Sequence, residues 1–187
     1  MTRATVSAHI RPAGPDDADA IACVQQTSWQ ESYHDKLPAS VIHRAGAVWG
    51  PGHWRRILSE QDPQEIALVL DAEDFGVLGF GAFGPQRGNV PGFAGEIYSL
   101  YLMPQIQRQG VGTRLMQAMA RVMVARGLSS ALVWSLSSNM AARRFYCALG
   151  AVPIGPRVTK LFGEDVAEAS YGWHDLSALA HDHDDLF

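Results

Sequence analysis

The chain has 187 residues, 47% of them hydrophobic and 18% charged, with a formal net charge of −4 at pH 7. This is the composition of one ordinary globular domain, large enough to bury a core without staples, and it excludes a disordered or collagen-like chain. The acidic balance argues against a dedicated nucleic-acid binder, yet it leaves room for a local anion-binding pocket.

The opening, MTRATVSAHIRPAG, lacks the apolar stretch of a secretory signal, and HIRPAG (9–14) reads as a short strand. PDDADAIACVQQTSWQ then places acids at a helix start, where the helix dipole favours them, with Ala18, Ile21, Ala22, Gln25 and Trp29 near helical spacing. Residues 38–61 read as helix in pieces, broken at GPG (50–52). EIALVLD (65–71) and GVLGFGAF (76–83) predict a hairpin, GPQRGNVPGFAG (84–95) a loop, and EIYSLYLM (96–103) a strand that Pro104 ends. A helix is expected over 112–126, where Leu115, Met119 and Val122 share a face and Gly127 supplies the stop. ALVWSL (131–136) alternates like a strand, and NMAARRFYCALG (139–150) reads as a short helix ending at glycine. RVTKLFG (157–163) and EASYGWHDL (168–176) suggest a closing antiparallel pair. The tail ALAHDHDDLF (178–187) is expected to be loosely ordered, with His181 and His183 solvated rather than holding a metal.

Cys23 and Cys147 lie far apart in no metal-ligand spacing, so neither a disulfide framework nor a metal site is expected, and Cys147 reads as a small buried residue. No apolar run approaches the roughly 18–20 residues of a membrane span. A cytoplasmic protein of one domain over 1–187 is expected, with no membrane and no nucleic-acid partner.

Two glycine clusters compete for attention. GFGAFG (79–84) matches the dinucleotide fingerprint by letter, but its glycines fall inside a predicted strand and Pro85 follows, so no helix start is on offer. Close packing against that strand is the better account. QRQGVG (107–112) has the strand before it and the helix after it. The first turn of a helix leaves backbone N–H groups without internal partners, and glycines let an anion approach them without meeting a Cβ. Arg108 and Arg114 stand near enough to add charge. The lysine of a P-loop is missing, so a nucleotide triphosphatase is not expected. On these grounds alone, phosphate binding and a tight strand–helix turn both remain open.

The flanking residues carry a resemblance. YLMPQIQRQGVGTRLM (101–116) resembles the acetyl-CoA-binding motif Q/R-x-x-G-x-G/A of the GNAT N-acetyltransferase superfamily, with Gln107, Gly110 and Gly112 on its fixed positions. SSNMAARRFYCALGAVPIG (137–155) resembles the second motif, in which an Asn opens a helix ending F-Y-x-x-L-G. The start and the closing strand also fit, so the likeness spans about 9–176. It implies an α/β (α+β) fold: a mixed, mostly antiparallel sheet of about six to seven strands flanked by about four helices. It further implies that backbone groups of Leu102 and Met103 pair with the pantetheine arm of the cofactor. The N–H groups of Arg108, Gln109, Gly110, Val111, Gly112 and Thr113 would cradle its pyrophosphate, and Asn139 would hydrogen-bond its arm. Tyr146 matches the usual general acid, and Glu96 lies where many members carry a general base. No metal is called for.

Those residue types suit acyl transfer to nitrogen. An amine attacks a thioester only when neutral, so a carboxylate must take a proton, often through water, and a phenol can protonate the departing thiolate. The expected acceptor is a small-molecule amine, a protein N-terminus or lysine being the runner-up. Trp29, Glu31, Tyr33 and Asp35 in SWQESYHDKLP (28–38) are the candidate acceptor contacts. A non-catalytic acyl-CoA sensor of the same fold is the alternative from another class, and a homodimer is compatible with either.

Overall fold

The hairpin and the closing strand pair of the sequence become parts of one seven-stranded sheet, ordered β1-β2-β3-β4-β5-β7-β6. A computed structural model describes residues 8–59 and 65–181. The strands are β1 (Ala8–Pro12), β2 (Ile66–Ala72), β3 (Gly76–Pro85), β4 (Gly95–Leu102), β5 (Ala131–Leu136), β6 (Val152–Leu161) and β7 (Glu164–Trp173). The helices are α1 (Ala18–Tyr33), α2 (Ala39–Val48), α3 (Pro51–Ser59), α4 (Val111–Ala125), α5 (Met140–Ala148) and α6 (Ser177–His181). All neighbouring strands run antiparallel except β4 and β5, whose parallel join needs a crossover that α4 supplies.

Two apolar layers sandwich the sheet. On one side α4 buries Leu115, Met116, Met119 and Met123 against Leu68, Phe83, Ile97 and Val133. On the other, α1 buries Ile21 and Val24 against Val69 and Phe80, and its end brings Trp29 and Tyr33 against Leu136 and Val166. Arg11 of β1 pins the start of α1, donating to both Asp17 oxygens at 2.8 Å and to Asp71 of β2 at 2.9 Å. GFGAFG lies inside β3, as expected: a Cβ on Gly81 would run into Met119 Sδ, so the bare strand is what lets α4 settle on it.

The parallel join is short. β4 pairs with β5 only through Gly95, Glu96 and Ile97, opposite Ala131, Leu132 and Val133. Each strand then follows its other neighbour, β4 staying on β3 as far as Leu102 and β5 staying on β7 as far as Leu136. A bulge marks the parting: Phe83 faces Ile97 and Ala82 faces Ser99, leaving Tyr98 as an extra residue. Bulges bend a strand and raise its twist, which turns β4 away from β5.

Three expectations need correction. The closing strands are longer than they read, because Pro153 and Pro156 sit in β6, an edge strand where a missing N–H is tolerated. Their turn is the two-residue Phe162-Gly163, at φ 52° and 95°, the left-handed pair that suits a hairpin's twist. Cys147 is exposed, one residue round α5 from the buried Tyr146. The tail is ordered as far as His181, for Leu176, Leu179 and Ala180 are buried in the α4 layer. His181 Nδ1 lies 2.6 Å from Ser177 O, while His183 falls outside the described residues.

The docking of α6 predicts that Leu179→Ala lowers unfolding stability by about 2–4 kcal/mol, the cost of a core truncation. A solvated tail position would change it by less than about 0.5 kcal/mol. Urea unfolding of the variant distinguishes the two.

Candidate active site

Where β4 and β5 part, a cleft of about 770 Å³ opens through the sheet. The N-terminus of α4 and the helix α5 border one half of it. The end of α1, Trp49 after α2, and the β6–β7 hairpin border the other.

The glycine loop forms the first half. A short 3-10 turn, Pro104–Ile106, leads into Arg108 at φ 60° and Gly110 at φ 78°, so the chain enters α4 through two left-handed residues. The first helical bond runs from Arg114 N–H to Gly110 O at 3.1 Å. Among the described residues, the six backbone N–H groups of 108–113 have no acceptor. A Cβ built on Gly110 meets nothing within 4 Å, so the space over the helix start is open. Gln107, Arg108, Gly110, Gly112 and Thr113 line the cleft. Gln109 does not, its Nε2 bonding back to Gln105 O at 2.7 Å, and the Val111 side chain packs beside Leu70 and Ile106.

The β4 edge differs in detail from expectation. Met103 N–H is taken by Leu78 O at 2.8 Å, and Leu102 O already accepts Ser28 Oγ at 2.9 Å and Gln107 Nε2 at 3.0 Å. Antiparallel ladders alternate, so the Met103–Leu78 bond directs Tyr101 toward β3 and turns the peptide groups of Leu100 and Leu102 to the gap. Leu100 is thus an open-edge residue that sequence reasoning missed.

Four aromatic side chains meet at the heart of the cleft. Asn139 caps α5, its Oδ1 accepting from Ala142 N–H at 3.1 Å, while its Nδ2 donates to the Tyr33 hydroxyl at 3.1 Å. Trp29 Nε1 donates to the Tyr101 hydroxyl at 2.9 Å. Tyr146 is buried against Phe145 and Trp173, lines the cleft, and its hydroxyl has no partner among the described residues. Burial pushes the phenols of Tyr146 and Tyr101 well above their ordinary value, with the neighbouring Tyr33 adding to it, and burial raises Tyr33 as well. Tyr146 is therefore a neutral phenol, holding its proton across the whole physiological range.

Glu96 is also buried in the wall, with both carboxylate oxygens engaged. Arg87 supplies its guanidinium to Oε1 at 2.9 Å and its backbone N–H to Oε2 at 3.0 Å, and the same guanidinium lies 3.8 Å over the Tyr98 ring. Of the candidate acceptor contacts, Trp29 and Tyr33 line the cleft, one helical turn apart. Glu31 lies about 200° round the helix from Trp29; it is exposed and outside the cleft, and Asp35 is turned to Lys36 at 2.7 Å. Arg87, Trp134, Arg157 and Glu168 complete the wall. Arg87 comes from the loop GPQRGNVPGFAG, the second segment that the resemblance implies for the acceptor, whereas Trp134, Arg157 and Glu168 carry no local signal because strand register brings them together.

Comparison with known proteins follows the same lines. The profile of the acetyltransferase (GNAT) family matches residues 21–151. The uncharacterized N-acetyltransferase YuaI of Bacillus subtilis (strain 168) is 32% identical over 170 residues, covering 91% of this chain and 95% of that protein. An uncharacterized N-acetyltransferase of Archaeoglobus fulgidus is 33% identical over 144 residues, covering 74% and 89%. The crystal structure of the PaiA N-acetyltransferase from Thermoplasma acidophilum, in complex with coenzyme A, superposes with a TM-score of 0.68 at 18% identity, covering 87% of this chain and 98% of that one.

The buried phenols set the alkaline behaviour. Their folded-state values lie above the unfolded value near 10.0, so their contribution to stability is complete below that pH and is lost as pH rises beyond it. Denaturant unfolding at stepped pH should show stability falling above about pH 10, with tyrosinate absorbance appearing for Tyr146 and Tyr101 only as the fold is lost.

Proposed function

The chain belongs to the acetyltransferase (GNAT) family, and on that premise we propose that it transfers the acetyl group of acetyl-CoA to a primary amine of a small molecule, both bound at once in the cleft. The observation that carries the proposal is the row of N–H groups at 108–113 without an acceptor among the described residues, of which Arg108, Gly110, Gly112 and Thr113 line the same cleft as Tyr146. A diphosphate fits the first feature: the N–H groups and the positive end of α4 bind its charge, and no Cβ stands over Gly110. The pantetheine arm fits the gap beside β4, where the peptide groups of Leu100 and Leu102 lie along an open strand edge.

Acetyl-CoA supplies an activated acyl carbonyl and a thiolate leaving group. The chain's own residues manage the protons. Tyr146 holds a proton on Oη and delivers it to the departing sulfur. Glu96, paired with Arg87, receives the amine's proton through water. Asn139 orders the start of α5 and holds the Tyr33 hydroxyl, joining the cofactor half of the cleft to the acceptor half. Burial keeps bulk water from this centre, which strengthens every dipole aimed at the reacting carbonyl.

Two measurements test the assignment. Coenzyme A at about 100 times its dissociation constant should stabilise the protein by about 2.7 kcal/mol, and NAD or ATP should not. Gly110→Val should abolish that shift and also lower the melting temperature of the free protein, because a β-branched residue is strained at φ 78°. Unchanged coenzyme A binding by Gly110→Val would remove the loop from the site. Tyr146→Phe should keep coenzyme A affinity while slowing single-turnover transfer by roughly ten- to a thousandfold. A rate within a factor of about two of the parent would take Tyr146 out of the reaction.

A further inference from the structure

The acceptor half of the cleft contains an arginine whose hydrogen-bonding capacity is only partly used. Register places it. Leu136 of β5 lies opposite Glu168 of β7, and Glu168 lies opposite Arg157 of β6. Leu136 packs against Trp29 and Tyr33, so all three residues stand on the sheet face that α1 covers. The Arg157 guanidinium lies over the Trp134 ring, its Cζ 3.7 Å from the centroid, and its Nε donates to Glu168 Oε2 at 2.6 Å. Its two Nη nitrogens have no acceptor among the described residues, and the side chain is 40% exposed, open to a ligand from the cleft. The stack and the ion pair thus hold the group still and leave the Nη fork unused.

The other charges in this half reinforce the asymmetry. Glu96 and Glu168 are its carboxylates, and each already carries an arginine, Arg87 and Arg157 respectively. A bare ammonium entering here meets no uncompensated negative charge. An anion meets a planar pair of donors set for bidentate binding. Trp29, Tyr33, Trp49 and Trp134 surround it with aromatic surface.

We propose that the acceptor carries a carboxylate a few bonds from its reacting amine, as an amino acid with an apolar or aromatic side chain does, and that the Nη fork of Arg157 binds that carboxylate. Glu168 is the positioning residue that fixes the fork. The assignment deepens the acetyltransferase reading and rests on it. The transfer balances as before: the amine nitrogen bonds to the acyl carbon, the carbon–sulfur bond breaks, the sulfur leaves as the thiol of coenzyme A, and one ammonium proton is released. Arg157 takes no part in those bond changes. It selects the substrate through its charge.

The test uses matched acceptors with the full-length enzyme at saturating acetyl-CoA: apolar and aromatic L-amino acids, their carboxamides, and the corresponding decarboxylated amines. Release of the coenzyme A thiol is followed. The parent should prefer the carboxylate form by about tenfold or more in kcat/KM, mostly through KM, as loss of a charge-assisted fork demands. Arg157→Gln should erase that preference while leaving the KM for acetyl-CoA unchanged, and Arg157→Lys, which keeps the charge without the fork, should restore part of it. Glu168→Gln should raise the KM of the carboxylate acceptor without changing coenzyme A affinity. Carboxamides or plain amines used as well as the acids, a preference that survives in Arg157→Gln, or no turnover in any series would each overturn the acceptor assignment. Calorimetry with coenzyme A separates the two levels of failure. Binding without turnover sinks the acceptor class alone, and absence of binding sinks the acetyltransferase reading beneath it.

Discussion

The site depends on a hydrogen-bond ladder that stops. β4 and β5 share three register pairs and then separate, and every group assigned a role stands in or beside the gap this leaves. A sheet interior is normally closed to ligands because each strand's peptide groups are satisfied by the next. Here the extra residue at Tyr98 bends one strand while the second remains committed to β7, so a stretch of backbone is left open in the middle of the sheet rather than at its rim. The apolar layers on both faces make that tolerable, since they hold the two halves of the sheet together where hydrogen bonds no longer do.

The gap orders the chemistry spatially. The glycine loop opens on the side of α4, the wall proposed for the acceptor lies under α1, and Tyr146 and Asn139 line the cleft with both. Burial serves both packing and reactivity at Tyr146. The rings that bury its phenol raise its pKa and so favour the protonated form, and its hydroxyl has no partner among the described residues.

Much of this was legible because it is local. Gln107, Gly110 and Gly112 sit within one turn of each other, and the left-handed Gly110 expresses the freedom that a glycine there suggests. Tyr146 and Asn139 share one short helix, so spacing and capping chemistry announce them together. The rest depends on register. Arg157, Glu168 and Trp134 come from three strands, and nothing in the sequence says which residues will face each other. Leu100 was missed because an open edge is a property of the pairing, not of leucine. Glu31 seemed apt for its charge, but its position round the helix from Trp29 sends it to solvent. The tail reads as loose because its polar end conceals Leu179 and Ala180, whose partner, α4, lies more than fifty positions earlier in the chain.

The β6–β7 hairpin touches the other end of the chain. Trp49 packs against Phe162 with the rings tilted and their centroids 5.3 Å apart, Arg44 donates to Phe162 O at 3.2 Å, and Val166 packs beside Trp29 and Tyr33. The acceptor wall therefore joins the first third of the polypeptide to its last strands. During synthesis the glycine loop and α4 leave the ribosome while β7 is still unmade, yet α4 packs against Trp173, Leu176 and Leu179, so neither half of the cleft is complete until the last strands arrive. A chain cut before the hairpin would keep the glycine loop and lose Arg157, Leu161 and Glu168 from the cleft together with the β7 side chains that pack beneath α4.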